Sequence, residues 1–144
     1  MGEIRKITLP SLIFLLILLG CNKQDDIYTA IPDVPVNVQL NLNEPSNFNL
    51  TVVGGWVYVN GGSRGIIVYR TIDDFVAFER HTPYMSDQDC AQVSVDSTAT
   101  YANDGCSESQ FFLVDGSVVR GPAQLPLKRY QTSHTADILV IRNN

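Results

Sequence analysis

The chain of 144 residues carries 15 acidic and 10 basic side chains, a formal net charge of −5, and 44% of its residues are hydrophobic. This acidic balance argues against nucleic acid and anionic lipid headgroups as partners. Beyond its first twenty residues the chain has about 120 left, enough for one domain with its own core and too few for two.

Met1 to Gly20 reads as a targeting segment. Arg5 and Lys6 give a basic start, and Ser11 to Leu19 is an uncharged apolar run, as in a secretory signal. The run is too short to span a bilayer comfortably. It ends at Leu18-Leu19-Gly20-Cys21, which resembles the bacterial lipobox. That resemblance implies a lipoprotein signal peptide over 1–20, cleavage before Cys21, and a diacylglycerol on the Cys21 thiol. No aspartate directly follows Cys21, and Lys23 followed by Asp25 and Asp26 looks like the export signal by which some Gram-negative bacteria display lipoproteins. The expected location is the outer membrane, lipid-anchored, at its periplasmic face or at the cell surface. Its expected partners are the membrane, through the anchor, and an outer-membrane protein. Removing residues 1–20 takes away Glu3, Arg5 and Lys6 and leaves 14 acidic against 8 basic side chains, a formal charge of −6.

Residues 21–35 contain Asp25, Asp26, Pro32, Asp33 and Pro35 without apolar periodicity and read as a tether. The domain is expected over 36–144. Val36, Val38, Leu40 and Leu42 alternate with Asn37, Gln39, Asn41 and Asn43, the period of a half-buried strand. Glu44 to Asn47 breaks it, and Phe48 to Val53 reads as a short helical or irregular connection. Trp56 to Val59 and Gly65 to Arg70 are rich in β-branched and aromatic residues and flank Asn60-Gly61-Gly62-Ser63-Arg64, a strong hairpin signal. Phe75 to Phe78 and Gln92 to Val95 add strands. Phe111 to Val114, Asp115-Gly116 and Ser117 to Val119 form a second hairpin, and Ile138 to Ile141 closes the domain. Short strands, frequent turn signals and no long helical periodicity predict an all-β antiparallel sandwich or barrel.

With Cys21 acylated, Cys90 and Cys106 remain in an exported protein. An even pair in an oxidising compartment is most simply a disulfide, worth roughly 3 kcal/mol for a loop of this length. Two free thiols or metal ligands are the other readings of the pair.

From Cys106 to Tyr130 the chain sets out Phe112, Asp115-Gly116, Gly121-Pro122-Ala123, Leu125-Pro126-Leu127 and Tyr130 in order. This ordered set resembles the C-terminal part of a Rieske domain, and the resemblance extends over about Val36 to Ile141. In the family this segment is the hairpin under an iron–sulfur cluster and the loop that covers it. The cluster needs Cys-x-His early and Cys-x-x-His later. The matching positions here are His81 and Pro83, then Cys106 and Ser109, so of the four groups only the Cys106 thiol is present. His134 falls after the block and reads as a solvated residue of the final turn.

Other chemistries fit less well. His81 near Ser86, Asp87 and Asp89 has the residue types of a hydrolytic triad but no nucleophile elbow, and reads as a surface group. Asp87, Asp89, Asp96 and Asp104 suit calcium by type yet follow no EF-hand spacing, and Gly61-Gly62-Ser63-Arg64-Gly65 lacks the lysine of a phosphate loop. Tyr84 and Tyr101 are placed in the loops around the cluster position. The resulting expectation is a non-enzymatic, lipid-anchored Rieske-like domain that has lost its cluster and serves a structural or binding role, with no cofactor. The alternative is an electron-transfer protein holding a [2Fe-2S] cluster or another metal on His81, Cys90 and Cys106.

Overall fold

The structure, a computed structural model, describes residues 31–143. The signal segment, Cys21 and the tether up to residue 30 lie outside the described residues. Ten strands follow in chain order: β1 (Asn37–Asn41), β2 (Trp56–Val59), β3 (Ile66–Arg70), β4 (Phe75–Glu79), β5 (Val93–Val95), β6 (Tyr101–Asp104), β7 (Gln110–Phe112), β8 (Val118–Arg120), β9 (Arg129–Thr135) and β10 (Ile138–Arg142), with a 3₁₀ helix at Pro45–Thr51 between the first two. They form a six-stranded sheet in the order β1-β10-β9-β4-β3-β2 and a four-stranded sheet β5-β6-β7-β8. Every pairing is antiparallel, so the all-β expectation holds.

β3 and β4 are nearly continuous apolar runs because both of their faces are covered. Ile66, Val68, Phe75 and Ala77 enter one core with Leu50, Tyr130, Leu139 and Ile141. Their alternates Ile67, Tyr69, Val76 and Phe78 enter a second core with Val93, Ala102, Phe111 and Leu113 from the smaller sheet. Val38 and Leu40 of β1 and Val57 and Val59 of β2 pack on the first core from opposite edges of the large sheet. The large sheet therefore curls around the first core and presents the back of β3 and β4 to the small sheet.

Two strands differ from the sequence reading. β6 was not expected because Tyr101-Ala-Asn-Asp104 is short and polar; only Ala102 and Asp104 turn inward. β9 carries a single buried residue, Tyr130, on an otherwise polar strand, and its pairing with β4 and β10 holds it extended. His134 accordingly lies in β9 rather than in a final loop, 3.2 Å from Asp74 by its Nδ1 and edge-on to Phe75. Tyr101 likewise stands in β6, paired with Phe112, and not in a loop.

The packed domain also begins before Val36. Ile31 is only 4% exposed, Asp33 accepts from Lys128 Nζ at 2.9 Å and Asn143 Nδ2 at 3.1 Å, and Asn143 further engages Val34 and Val36. The last described residue thus clasps the first described segment.

Gly116, in the β7–β8 turn, has φ +79°, and a Cβ there would stand 2.7 Å from Cε1 of the buried Phe78 ring. The ring has no room to retreat. Gly116→Ala is expected to destabilise by about 1–3 kcal/mol, read as a lower denaturant midpoint at an unchanged slope.

Candidate functional site

Three loops gather at one end of the molecule: residues 80–92 between β4 and β5, residues 105–109 between β6 and β7, and residues 121–128 after β8. Cys90 and Cys106 are joined by a disulfide, with their Cα atoms 5.0 Å apart, so the first loop is bonded to the second. The second loop is tied to the third without covalent chemistry. Ser109 is fully buried, and its Oγ accepts the Ala123 amide at 2.9 Å. Asp104 at the end of β6 receives the Cys106 amide and the Ser107 hydroxyl and so shapes the second loop from below. The ordered Gly121-Pro122-Ala123 and Leu125-Pro126-Leu127 set serves this packing, with Ala123 and Leu127 in the inter-sheet core.

Beneath the first loop lies a buried carboxylate. Glu79 is 0% exposed, and its two oxygens accept four hydrogen bonds: from the Arg64 and His81 amides on Oε1 at 3.0 and 2.9 Å, and from the Ser63 amide and the Tyr130 hydroxyl on Oε2 at 2.7 Å each. A buried charge is tolerated when its lone pairs are filled in this way. The carboxylate joins the β2–β3 turn, β4, the start of the first loop and β9. Gly62 must be glycine for this contact, since a Cβ would lie 2.2 Å from Glu79 Oε2 and the backbone sits at φ +62°. Burial, the hydrogen bond to Glu79 and its charge together push the Tyr130 hydroxyl well above its ordinary value of 10.0.

His81 is buried, 4% exposed, and not the surface group that its polar neighbours suggested. Its Nε2 is 2.8 Å from the Ser86 carbonyl and its Nδ1 is 2.8 Å from Ser63 Oγ. A carbonyl only accepts, so Nε2 carries a hydrogen, and in the neutral ring Nδ1 accepts from Ser63. Arg64 adds three further bonds, to the carbonyls of Ser86, Gln88 and Asp89, and Gln92 returns one to the Arg64 carbonyl at 2.6 Å. The Gly61 to Gly65 turn is therefore the clamp on the first loop.

These residues do not fit a [2Fe-2S] cluster. The Cys106 sulfur is bonded to Cys90, both ring nitrogens of His81 are engaged, Pro83 has no donor atom, and Ser109 is spent on Ala123. The alternative set of His81, Cys90 and Cys106 is committed to the same bonds. Among the described residues no three His, Cys, Asp or Glu side chains converge in a manner able to hold a metal ion. The loops do leave a cleft of about 240 Å³ lined by Pro83, Tyr84, Pro122, Gln124 and Leu125. Tyr84 lies in the first loop, half-buried against the inter-sheet core.

Sequence reasoning did not single out Glu79, and took Ser63 and Arg64 only as part of a hairpin turn that lacks the lysine of a phosphate loop. Their one advance signal was a charged residue closing an otherwise apolar strand, Phe75-Val-Ala-Phe-Glu79, with a glycine-rich turn upstream.

No family model matches the chain, and no curated protein matches it. Among solved structures, the ferredoxin of carbazole 1,9a-dioxygenase from Nocardioides aromaticivorans IC177 is similar at TM-score 0.49 and 14% identity, over 76% of this chain and 98% of that one. A chain in a complex of reduced oxygenase and oxidized ferredoxin in carbazole 1,9a-dioxygenase is similar at TM-score 0.48 and 17% identity, over 77% of this chain and 94% of that one. At that distance no residue role is carried across.

Glu79→Gln places two N–H donors among four groups that all donate, and is expected to lose about 2–3 kcal/mol of stability, measured by urea unfolding. Tyr130 supplies a pH test. Below pH 10.0 the phenol keeps its proton in both states; above it the unfolded chain releases a proton that the folded chain retains, so stability falls as pH rises. The stability difference between the protein and Tyr130→Phe should therefore shrink between about pH 9 and about pH 11. Reducing Cys90–Cys106 is expected to cost roughly 3 kcal/mol and to speed amide exchange in residues 81–92, which hydrogen-exchange mass spectrometry reads directly.

Proposed function

We propose that the chain is a lipid-anchored Rieske-like β domain whose cluster-binding loops are kept as a scaffold and stapled by a disulfide, and that it acts by binding or structural support at the outer membrane, without catalysis or electron transfer. The observation that carries this reading is the Cys90–Cys106 disulfide. It takes up the one thiol that stands at a cluster-ligand position and bonds together the two loops that a cluster would otherwise join. Small domains use a metal or a disulfide for the same purpose. The buried His81, fixed at both nitrogens, supports the same conclusion, because an imidazole already engaged twice has no lone pair to offer iron. The motif order from Phe112 to Tyr130 supports the Rieske-like scaffold, since its Gly116, Ala123 and Leu127 pack against the second loop and the inter-sheet core.

The anchor rests on Leu18-Leu19-Gly20-Cys21. Among the described residues no helix is long and apolar enough to cross a membrane; attachment in this reading is by lipid on Cys21.

The test is chemical analysis of the full chain isolated without air from iron-replete cells fed a labelled fatty acid. The expected result is label that Cys21→Ser abolishes, no iron or acid-labile sulfide, and no thiol at Cys90 or Cys106 available for alkylation. Stoichiometric iron with sulfide would overturn the loss of electron transfer, and label that survives Cys21→Ser would overturn the anchor.

A further inference from the structure

At the end of the molecule opposite the stapled loops, two clefts adjoin and share Leu42 and Thr51. The first, about 210 Å³, has Leu42, Leu50 and Phe75 as apolar walls and Arg70 and His134 as polar ones. The second, about 490 Å³, runs over Leu42, Pro45 and Phe48 with Glu44 at its edge. Phe48 is 69% exposed at the rim of this second cleft. Arg70 is the distinctive group. Its guanidinium carbon lies over the Phe75 ring, 4.4 Å from the centroid, and among the described residues its side chain has no hydrogen bond or ion pair. Asp74 Oδ1 accepts from the Phe75 amide and lies 3.2 Å from His134 Nδ1.

A half-buried guanidinium with its donors free, seated over an aromatic ring, is suited to a planar anion. The surroundings restrict the charge. With Glu44 at the edge of the second cleft and a net charge of −5 on the chain, a singly charged group is accepted more readily than a doubly charged one. The apolar walls and the second cleft call for a hydrocarbon portion, and their size suits a small molecule. Glu44 fixes the orientation, because it repels an anion from the far cleft.

We propose that the two clefts form one site for an aliphatic monocarboxylate, with its carboxylate on Arg70 and its unbranched chain lying over Leu42 toward Phe48. The site is independent of the stapled loops and of the role assigned to them.

The test uses the full chain in membranes and a photoreactive aliphatic acid whose reactive group is at the tail. Labelling is expected on the peptide spanning residues 42–51, competed by decanoate and not by decyltrimethylammonium, which has the same tail and the opposite charge. Arg70→Met, which keeps the stem over Phe75, should label about tenfold less, and Arg70→Lys should restore part of the signal. Absence of label from residues 42–51, undiminished labelling of Arg70→Met, or equal competition by the cation would overturn the proposal. Phe48→Asn alters only an exposed residue and repeats the test should Arg70→Met not fold: a weaker label is expected, and an unchanged one overturns the tail's placement.

Discussion

The Glu79 carboxylate is the constraint around which the functional end of this domain is arranged. Its four bonds reach a hairpin turn, the first loop and β9, elements far apart in sequence. Burying a carboxylate is unfavourable by several kcal/mol unless every lone pair is used, so the surrounding backbone has little freedom. Gly62 must lack a side chain, Tyr130 must keep its hydroxyl, and the Ser63 and Arg64 amides must point inward. That turn geometry in turn places the Ser63 hydroxyl on His81 and the Arg64 guanidinium on the carbonyls of the first loop. The disulfide then closes a loop whose position is already set from below.

Much of the architecture could be read from the chain because β3 and β4 carry their information locally. Runs such as Ile66-Ile-Val-Tyr69 and Phe75-Val-Ala-Phe78 admit few readings other than buried strands, and Asn60-Gly61 marks the turn between β2 and β3. β6 and β9 were not legible for the opposite reason. Their residues are mostly polar, and they are strands because neighbours hold their backbones, a property of the fold and not of the segment. The site divides in the same way. Cys90 and Cys106 announce a pair, since they are the only two thiols of the expected domain over 36–144. The burial of His81 could not be seen, because its partner Ser63 lies 18 residues upstream and arrives only through the register of the β2–β3 hairpin. A histidine among Thr82, Ser86, Asp87 and Asp89 looks solvated until the Arg64 clamp is known.

The two ends of the domain are built differently. At one end, polar groups are saturated, the loops are cross-linked, and Pro83, Tyr84 and Pro122 border a small cleft. At the other, Arg70 keeps its donors free and Phe48 stays uncovered. Interior hydrogen bonds used for rigidity are unavailable for ligands, and the exposed groups at the far end add little to the fold. Division of labour between a stapled scaffold and a receptive opposite face follows from where the side chains are already committed.

The central claim is that the disulfide, with Glu79 beneath it, holds the loops that a metal centre would otherwise hold. The most direct measurement is the thermal unfolding midpoint of the intact chain in three states: oxidised, reduced, and reduced in the presence of iron and sulfide. The account predicts a lower midpoint on reduction that iron and sulfide leave unchanged. Recovery of the oxidised midpoint on adding iron and sulfide would contradict it.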